Sequence, residues 1–387
     1  MIFLAFWGWG IGLGCCYIFV GIIKQKIKRT AMDSITKVNN NERLTHQEAL
    51  ALYELDLYTL GELAHKIRID RFGKKSYFNI NRHINPTNVC KDICKFCAYS
   101  ASRKNPNQYT LSHEEILEIA RTSIAHGAKE LHIVSAHNPN EGIEWYMNAF
   151  KLIKDEFPDV HIKALTAAEV DFLAREYGYS YDEILDMMIA HGVDSMPGGG
   201  AEIFDEKVRD FICKGKVTSA QWLEIHQKWH ERGRQSNATM LFGHIEERSH
   251  RIDHILRLRE LQDRSGGFNA FIPLLYQKEN NFLKVKNFPS AQEILKTFAI
   301  ARILLDNINN IKAYWVTSSI NLALVAQEFG ANDLDGTIQK ESIQSAAGAK
   351  SANGMSQEEF VGLIKNSGFI PVERDSLYNE LRSFEEI

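Results

Sequence analysis

The alternation of strand-like and helix-like segments constrains the fold of this chain most strongly. Runs of strand length recur along the chain, and between most of them lie amphipathic stretches of helical length, such as 112–126 and 219–232. Alternating strands and helices predict a parallel sheet, and eight such units predict a (β/α)8 barrel. A partial barrel of six units with a helical remainder is the alternative. The predicted strands lie near residues 77–84, 130–136, 162–167, 193–197, 236–241, 268–274, 312–318 and 333–336.

No linker rich in Pro, Gly or Ser splits this alternation, so we predict one folded domain over residues 45–387. Helices are predicted within 42–72, and Thr45 is suited to cap the first of them. With 387 residues, of which 44% are hydrophobic, the chain can bury a large core. A net charge of −4 gives no electrostatic reason to expect a nucleic-acid partner, which would favour a basic face.

The first 31 residues form an apolar extension outside this domain. Residues 1–23 carry no charged side chain, and Lys24, Lys26, Lys28 and Arg29 follow. Length and apolarity predict a membrane-spanning helix, and the basic flank would keep the following domain in the cytoplasm, tethered to the inner face of the membrane. A cleaved signal peptide fits less well, because the first residues lack positive charge. The alternative is that translation begins at Met32, which would give an untethered cytoplasmic protein.

Three cysteines, Cys90, Cys94 and Cys97, have a C-x3-C-x2-C spacing directly after the first predicted strand. Cluster irons are normally held by cysteine sulfur, so three thiolates predict a four-iron cluster with one iron left open to a small molecule. A zinc knuckle is the alternative, but it usually closes with four ligands in paired spacings, and no second cysteine pair follows. Cysteine usage also indicates a reducing compartment rather than a disulfide framework.

The first predicted strand has an unusual polar face. Asn79, Asn81, His83 and Asn85 alternate with apolar residues and therefore share one side of the strand. If that side faces into a barrel, the interior is wet or filled by a ligand. The alternative for each residue is that it only hydrogen-bonds its polar neighbours. Because His83 and Asn85 come closest to the cysteines, we predict that these two bind substrate.

Other polar or glycine residues stand where predicted strands end, which is where barrel enzymes place their active sites. Gly198 and Gly199 follow the fourth strand, where glycine allows close approach of the backbone to a ligand, and the next helix N-terminus suits an anion. His244 follows the fifth strand and is, with His83, a candidate for proton transfer. No general base is assigned. Further candidates for holding carboxylates or ribose are Arg103, Lys163, Glu169 and Arg374.

The cysteine motif, with Phe96 before its last cysteine, resembles the signature of the radical S-adenosylmethionine (SAM) enzymes. Within them the chain resembles the aminofutalosine synthase family of the futalosine route to menaquinone. The runs that carry this resemblance span most of the chain from about residue 45 onward. They are Asn85-Pro86-Thr87-Asn88-Val89-Cys90, Pro197-Gly198-Gly199-Gly200-Ala201-Glu202-Ile203, Asn237-Ala238-Thr239-Met240-Leu241, Phe271-Ile272-Pro273-Leu274 and Leu334-Asp335-Gly336-Thr337.

This resemblance implies a [4Fe-4S] cluster on the three cysteines and SAM bound at the open iron. It implies that Phe96 packs beside the adenine. Many such enzymes have a Gly-rich turn after the second strand, which contacts the methionine amino group; this chain has Ser135 and Ala136 there. Small side chains leave the backbone carbonyls accessible, so the two residues are expected to make the contact. Glu169, Gly198 and Gly199 are expected to complete the cofactor site.

The resemblance also implies the reaction. The 5′-deoxyadenosyl radical would add to the vinyl carbon of 3-[(1-carboxyvinyl)oxy]benzoate, an enol ether, and the product would be 6-amino-6-deoxyfutalosine. His83, Asn85 and Arg374 are the candidate substrate ligands. A low-potential electron donor such as flavodoxin or ferredoxin would reduce the cluster. Two alternatives stay open: the dehypoxanthine futalosine cyclase of the same pathway, which abstracts hydrogen, and a non-catalytic zinc-binding protein.

Overall fold

The computed structural model describes residues 25–26, 28–101, 105–338, 342–349 and 354–385. The helices are α1 (28–39), α2 (His46–Ala51), α3 (Leu57–Phe72), α4 (His113–Ala125), α5 (Ile143–Glu156), α6 (Ala167–Tyr177), α7 (Tyr181–Ala190), α8 (Glu206–Cys213), α9 (Ser219–Glu231), α10 (Arg248–Ser265), α11 (Ala291–Leu304), α12 (Trp315–Ser318), α13 (Ile320–Ala326), α14 (Ile343–Ala346) and α15 (Gln357–Asn366). The strands are β1 (Lys75–Asn79), β2 (Asn81–Ile84), β3 (Glu130–Ile133), β4 (His161–Ala164), β5 (Ser195–Met196), β6 (Gln235–Phe242), β7 (Phe268–Leu275), β8 (Asn310–Ile311), β9 (Asp333–Gly336), β10 (Ile370–Arg374) and β11 (Glu380–Ser383).

Many helices begin at a capping box, in which a Ser or Thr side chain and the Glu or Gln three residues later satisfy each other's backbone N–H groups. The predicted cap Thr45 is one of them: its hydroxyl accepts from the backbone N–H of Glu48, and the Glu48 carboxylate accepts from the backbone N–H of Thr45. Such boxes fix where helices start without help from distant residues. The capping residues of this kind are Thr45, Ser112, Thr166, Ser180 and Thr218.

Seven parallel strands, β2 to β8, form a curled sheet in which each strand pairs with the next along the chain. Strand β9 spans the gap between the two ends of this sheet. It pairs with β1 through Tyr77 and Asp333, and Asp333 also forms a bridge with Lys312, just after β8. Because β1 and β2 are one continuous stretch interrupted at Ile80, the eight predicted strand units follow one another around the ring. The predicted α/β barrel fold is confirmed.

The prediction of the seventh strand is wrong in position. The segment 312–318 was expected to be a strand, but β8 ends at Ile311 and α12 covers Trp315–Ser318. Aromatic and β-branched residues favour strands only weakly, and tertiary contacts override them. Here the hydroxyls of Thr317 and Ser318 donate to the carbonyl of Tyr314, which stabilises a helical turn.

A second, four-stranded sheet was not predicted. Its order is β11-β10-β1-β9; β10 runs parallel to β1, and β11 runs antiparallel to β10. The edge of the barrel is thus extended by the C-terminal strands. The boundary of the single domain, 45–387, remains a prediction.

Helix faces cover the outside of the barrel as their periodicity predicts. Ile116, Leu117 and Ala120 of α4 are buried in the hydrophobic core. The inside of the barrel is different, since charged side chains are buried there. Lys163 pairs with Glu130 at 2.7 Å, and both are 2% exposed. The predicted polar interior is therefore present.

Among the residues that the structure describes, no helix has the length and apolarity needed to cross a membrane. Residues 1–23 lie outside the described part of the chain. The membrane anchor, the alternative start at Met32 and the cytoplasmic location therefore remain predictions.

Candidate active site

The cysteine loop leaves the C-terminal end of β2 and is tied down by backbone hydrogen bonds. Cys90 N–H donates to the Ala101 carbonyl at 3.2 Å, and Cys97 N–H donates to the Cys94 carbonyl at 3.1 Å. Lys95 N–H donates to the carbonyl of Ile212, at the end of α8, at 2.8 Å. These bonds position the loop against two parts of the barrel.

A side-chain pair fixes the same loop to the next strand unit. Nδ1 of His137, which follows β3, lies 2.8 Å from Oδ2 of Asp92, and both side chains are largely buried. Burial alone would raise the pKa of Asp92, but the hydrogen bond and the electrostatic interaction with His137 hold it below its usual value. The pair is therefore an anchor between the cysteine loop and the end of β3.

All three cysteines are free, partly exposed and line one cavity. Burial raises the pKa of the Cys90 and Cys94 thiols, whereas the ammonium of Lys216 acts in the opposite direction on Cys94. Among the described residues, no three His, Cys, Asp or Glu side chains are gathered closely enough to hold a single metal ion. In a four-iron cluster each thiolate binds a different iron, so the three sulfurs need not meet around one point.

The cavity has a volume of about 290 Å³ and opens among the loops that follow the barrel strands. This is the end of a parallel barrel where active sites form. Seven of the residues that the sequence singles out for cofactor or substrate line it together with the cysteines. They are His83, Asn85, Phe96, Ser135, Ala136, Gly198 and Gly199. Their individual roles as ligands remain predictions.

The polar face of the first strand divides into two parts. Near the cavity, the ring of His83 lies over that of His132 with centroids 4.6 Å apart, and Asn85 donates to the Val134 carbonyl at 2.9 Å. Deeper in the barrel, Asn81 Oδ1 accepts from Ile338 N–H at 3.0 Å. Asn81 is therefore bound by the protein itself, as the alternative interpretation allowed, whereas the buried amide of Asn79 has no hydrogen-bond partner among the described residues. The upper part of the face meets the cavity.

The glycines after β5 are required first by packing. A Cβ on Gly198 would lie 2.6 Å from the carbonyl oxygen of Asn237, and one on Gly199 would lie 2.8 Å from a methyl group of Thr166. The expected helix N-terminus does not follow directly, because α8 begins only at Glu206. The predicted anion site at that terminus is therefore not supported, although both glycines still present backbone to the cavity.

Glu169 lies behind the cavity wall and is not among the residues that line it. Its Oε1 accepts from the backbone N–H and the hydroxyl of Ser135, at 2.9 and 3.1 Å. Its Oε2 accepts from the backbone N–H and the hydroxyl of Thr166, both at 2.8 Å. With both oxygens bound to protein donors, Glu169 positions Ser135 rather than facing a ligand.

His244 is also kept away from the cavity lining. Its Nδ1 lies 3.2 Å from Oε2 of Glu246, its Nε2 lies 3.1 Å from the Leu241 carbonyl, and both side chains are buried. Burial lowers the pKa of His244. The same carboxylate accepts from Gly243 and His244 N–H, so this group braces the turn after β6 and gives no support to proton transfer at His244.

The predicted cationic ligands do not gather at the cavity. Lys163 is paired with Glu130 inside the barrel. Arg374 lies in β10 of the second sheet, where its Nε is 2.6 Å from Oδ2 of Asp333, and it is not among the residues lining the cavity. A direct substrate contact by Arg374 is therefore not supported. Arg103 lies outside the described residues.

Sequence reasoning missed a buried pair on the cavity floor. Lys312 directly follows β8, and Asp335 lies in β9. Their charged groups are 2.6 Å apart, and both side chains line the cavity. Burial would raise the pKa of Asp335, but Lys312 outweighs it and the pKa falls to about 2. Asp335 stands in one of the runs that carry the family resemblance, but Lys312 was placed at the start of a predicted strand, so nothing in the sequence indicated that the two would pair. His132 and the buried pair Lys216–Glu202 were missed as well.

Comparison with known proteins agrees with this geometry. Residues 84–258 match the radical SAM superfamily, and residues 265–387 match the CofH/MqnC C-terminal region. The chain is 40% identical to an aminodeoxyfutalosine synthase from Streptomyces coelicolor, over 90% of this chain and 93% of that protein. The corresponding protein from Thermus thermophilus is 39% identical, over 91% of this chain and 96% of that protein.

One further relative and one solved structure are also similar to this chain. A cyclic dehypoxanthine futalosine synthase from Streptomyces coelicolor is 37% identical, over 88% of this chain and 86% of that protein. The X-ray structure of the FeFe-hydrogenase maturase HydG from Carboxydothermus hydrogenoformans superposes with a TM-score of 0.70 at 17% identity, covering 94% of this chain and 83% of that one. The chain therefore belongs to the radical SAM superfamily, in the group with a CofH/MqnC C-terminal region that includes the aminodeoxyfutalosine synthases.

Proposed function

We propose that this protein joins the 5′-deoxyadenosyl group of SAM to 3-[(1-carboxyvinyl)oxy]benzoate and forms 6-amino-6-deoxyfutalosine for menaquinone biosynthesis. One observation carries the proposal: two aminodeoxyfutalosine synthases are 40% and 39% identical to the chain over nine-tenths of its length. The related cyclic dehypoxanthine futalosine synthase is less similar, at 37%.

A [4Fe-4S] cluster and SAM are the cofactors of this superfamily, and the cysteine loop fits the cluster. Cys90, Cys94 and Cys97 are free thiols that line a single cavity. These three cysteines would hold the cluster, which when bound would supply the one-electron chemistry that cleaves SAM to methionine and a 5′-deoxyadenosyl radical. The orientation of the reactants and the exclusion of water fall to the protein.

The cavity lining suits both reactants. Ser135 and Ala136, beside the cysteine loop, are small and leave the backbone accessible to the methionine end of SAM, and Phe96 offers a ring to the adenine. On the floor, His83 and Lys312 offer imidazole and ammonium groups to the carboxylates of the enol ether. Charge-assisted hydrogen bonds of this kind orient carboxylates strongly.

Three apolar side chains, Leu241, Ile272 and Leu274, line the cavity on the side of β6 and β7, next to the polar Asn237 and Thr239. Apolar side chains beside the reacting atoms limit side reactions of a radical with water. The proposed reaction consumes one SAM, one enol ether and one water, and it releases methionine, bicarbonate and a proton with the product. A low-potential donor such as flavodoxin or ferredoxin would supply the electron that starts the reaction. Because the reaction balances without a net electron, that electron is given back when the last radical is oxidised.

The test is an incubation of the anaerobic, reconstituted protein with reductant, SAM and the enol ether, followed by mass spectrometry. We expect 6-amino-6-deoxyfutalosine and methionine in equal amounts. Free 5′-deoxyadenosine without an adenosyl adduct would overturn the proposal and favour a hydrogen-abstracting enzyme. A protein that binds zinc but no iron or sulfide after anaerobic reconstitution would exclude radical SAM chemistry altogether.

A further inference from the structure

Three large apolar side chains are exposed around the cysteine loop. Ile93, which lies between Cys90 and Cys94, is 79% exposed, Phe282 is 79% exposed and Phe211 is 50% exposed. Single exposed apolar residues are ordinary on protein surfaces, whereas a group of them marks an interaction site. These three side chains would mark such a site if they lie close together.

Lys95 holds them together. Its ammonium lies 3.5 Å from the centre of the Phe211 ring, and its carbonyl accepts from the backbone N–H of Phe282 at 2.8 Å. Ile93 is two residues away on the same loop. Three segments that are far apart in sequence therefore meet beside the cysteines. We call Ile93, Lys95, Phe211 and Phe282 the Lys95 patch.

The rim of the Lys95 patch is basic on the side of Phe282, whereas the exposed Asp210 adjoins Phe211 on the other side. The segment 278–288, which carries Phe282, contains the exposed residues Lys278, Lys284 and Lys286 against a single acidic residue, Glu279. The whole chain, in contrast, has a net charge of −4. A local basic region attracts acidic surfaces, those of an acidic partner as well as those of a second copy of this acidic chain.

We propose that the Lys95 patch is the docking surface for an acidic one-electron carrier protein, which reduces the cluster from this side. Ile93 is adjacent in sequence to Cys94, so a carrier seated on the patch lies next to a cluster ligand. The carrier loses one electron, the cluster gains it, and no atom is transferred. A small apolar centre with a charged rim suits electron-transfer encounters, which bury less than about 1,200 Å².

The docking surface itself requires only membership of the radical SAM superfamily. The proposed function is needed only for the assay of product formation. Its test compares the wild type with Phe282→Ser and with the double variant Lys284→Glu/Lys286→Glu. The probe is a purified acidic flavodoxin. Two quantities are measured: the Kd for the oxidised flavodoxin, which needs no turnover, and product formation with either reduced flavodoxin or dithionite as the electron source.

We expect Phe282→Ser to raise the Kd about tenfold, as for a truncated aromatic anchor. The charge-reversal variant should raise the Kd by a similar factor at low salt and by less at high salt, since screening weakens surface charges. Dithionite is small and needs no docking surface, so dithionite-driven turnover should stay within about twofold of the wild type.

Two matched controls lie far from the patch. Tyr58→Ser removes an aromatic that is 84% exposed near the start of α3, and Lys129→Glu reverses an exposed lysine at the opposite end of the barrel. Both should leave the Kd unchanged. An unchanged Kd in the patch variants, or an equal loss with dithionite, would overturn the proposal. So would a wild-type dimer that Phe282→Ser dissociates, because a second copy would then cover the patch. Loss of adduct with both electron sources in the wild type would refute the proposed function instead.

Discussion

Removing the negative charge of Glu130 should destabilise the barrel strongly. Lys163 and Glu130 are each 2% exposed, with their charged atoms 2.7 Å apart. Glu130→Gln keeps the shape but leaves a buried ammonium without a counter-charge, which typically costs about 3–5 kcal/mol. An upper bound follows from letting Lys163 give up its proton: from an ordinary pKa near 10.4 this costs about 4.6 kcal/mol at pH 7. Both routes place the loss of unfolding free energy near 4 kcal/mol.

The same reasoning predicts a pH dependence. Burial already lowers the pKa of Lys163, and Lys312 adds to this, while Glu130 acts against them. In Glu130→Gln the folded protein holds Lys163 neutral, whereas the unfolded chain keeps it protonated. The unfolded state therefore binds more protons, and the deficit should shrink by about 1.4 kcal/mol per unit as the pH rises from 7 to 9.

The measurement is urea unfolding of the cluster-free, reduced protein by circular dichroism. Two controls sharpen it. Replacing both partners, Glu130→Leu with Lys163→Met, should return the midpoint close to the wild type, since apolar replacement of a buried pair is often neutral. Lys66→Met breaks the exposed pair Lys66–Asp70 and should leave the midpoint unchanged. A Glu130→Gln midpoint equal to the wild type, or a double variant weaker than the single one, would refute the reasoning. Normal turnover in the double variant would assign Lys163 a structural role.

Three further predictions concern the site and the core. Cys94→Ala should lose the cluster, seen by iron and sulfide analysis after reconstitution, whereas Cys213→Ala, which removes the buried thiol in α8, should keep it. Gly198→Ala should weaken SAM binding and lower the unfolding free energy by about 1–3 kcal/mol, because its Cβ would lie 2.6 Å from a carbonyl oxygen of β6. An unchanged Kd for SAM and an unchanged urea midpoint would contradict this. Burial lowers the pKa of His230 and His254 to about 3, while unfolded histidine titrates near 6.5. Below about pH 6.5 only the unfolded chain gains these protons. The unfolding free energy should therefore fall by up to about 1.4 kcal/mol per pH unit for each histidine. Urea midpoints that stay level down to about pH 5 would contradict this prediction.

Local patterns predicted the parts of this molecule that depend on local physics. The cap at Thr45 and the buried face of α4 follow from residues three or four positions apart, and the structure shows both. The cysteine loop could be placed at the cavity because it directly continues a barrel strand. The polar face of the first strand, including His83, is visible as a simple alternation.

What the sequence could not reveal depends on partners that are distant along the chain. Arg374 was expected at the substrate, but its counter-ion is Asp333, 41 positions away in β9, on the other side of β1 in the second sheet. Glu169 was expected at the cofactor, but it is bound to Ser135, 34 positions away. In the sequence, a charged residue at a strand end looks identical whether it faces a ligand or another side chain. Only the fold distinguishes the two cases.

The interrupted first strand has a consequence for biogenesis. β1 pairs with β9 and β10, which are made about 250 and about 290 residues later. At a synthesis rate of about 5–20 residues per second, the ribosome delivers these neighbours roughly 13 to 58 seconds after β1. During that interval β1, which leads through β2 into the cysteine loop, has no strand paired with it on either side. Closure of the barrel beside the cysteine loop therefore waits for the C-terminal part of the chain.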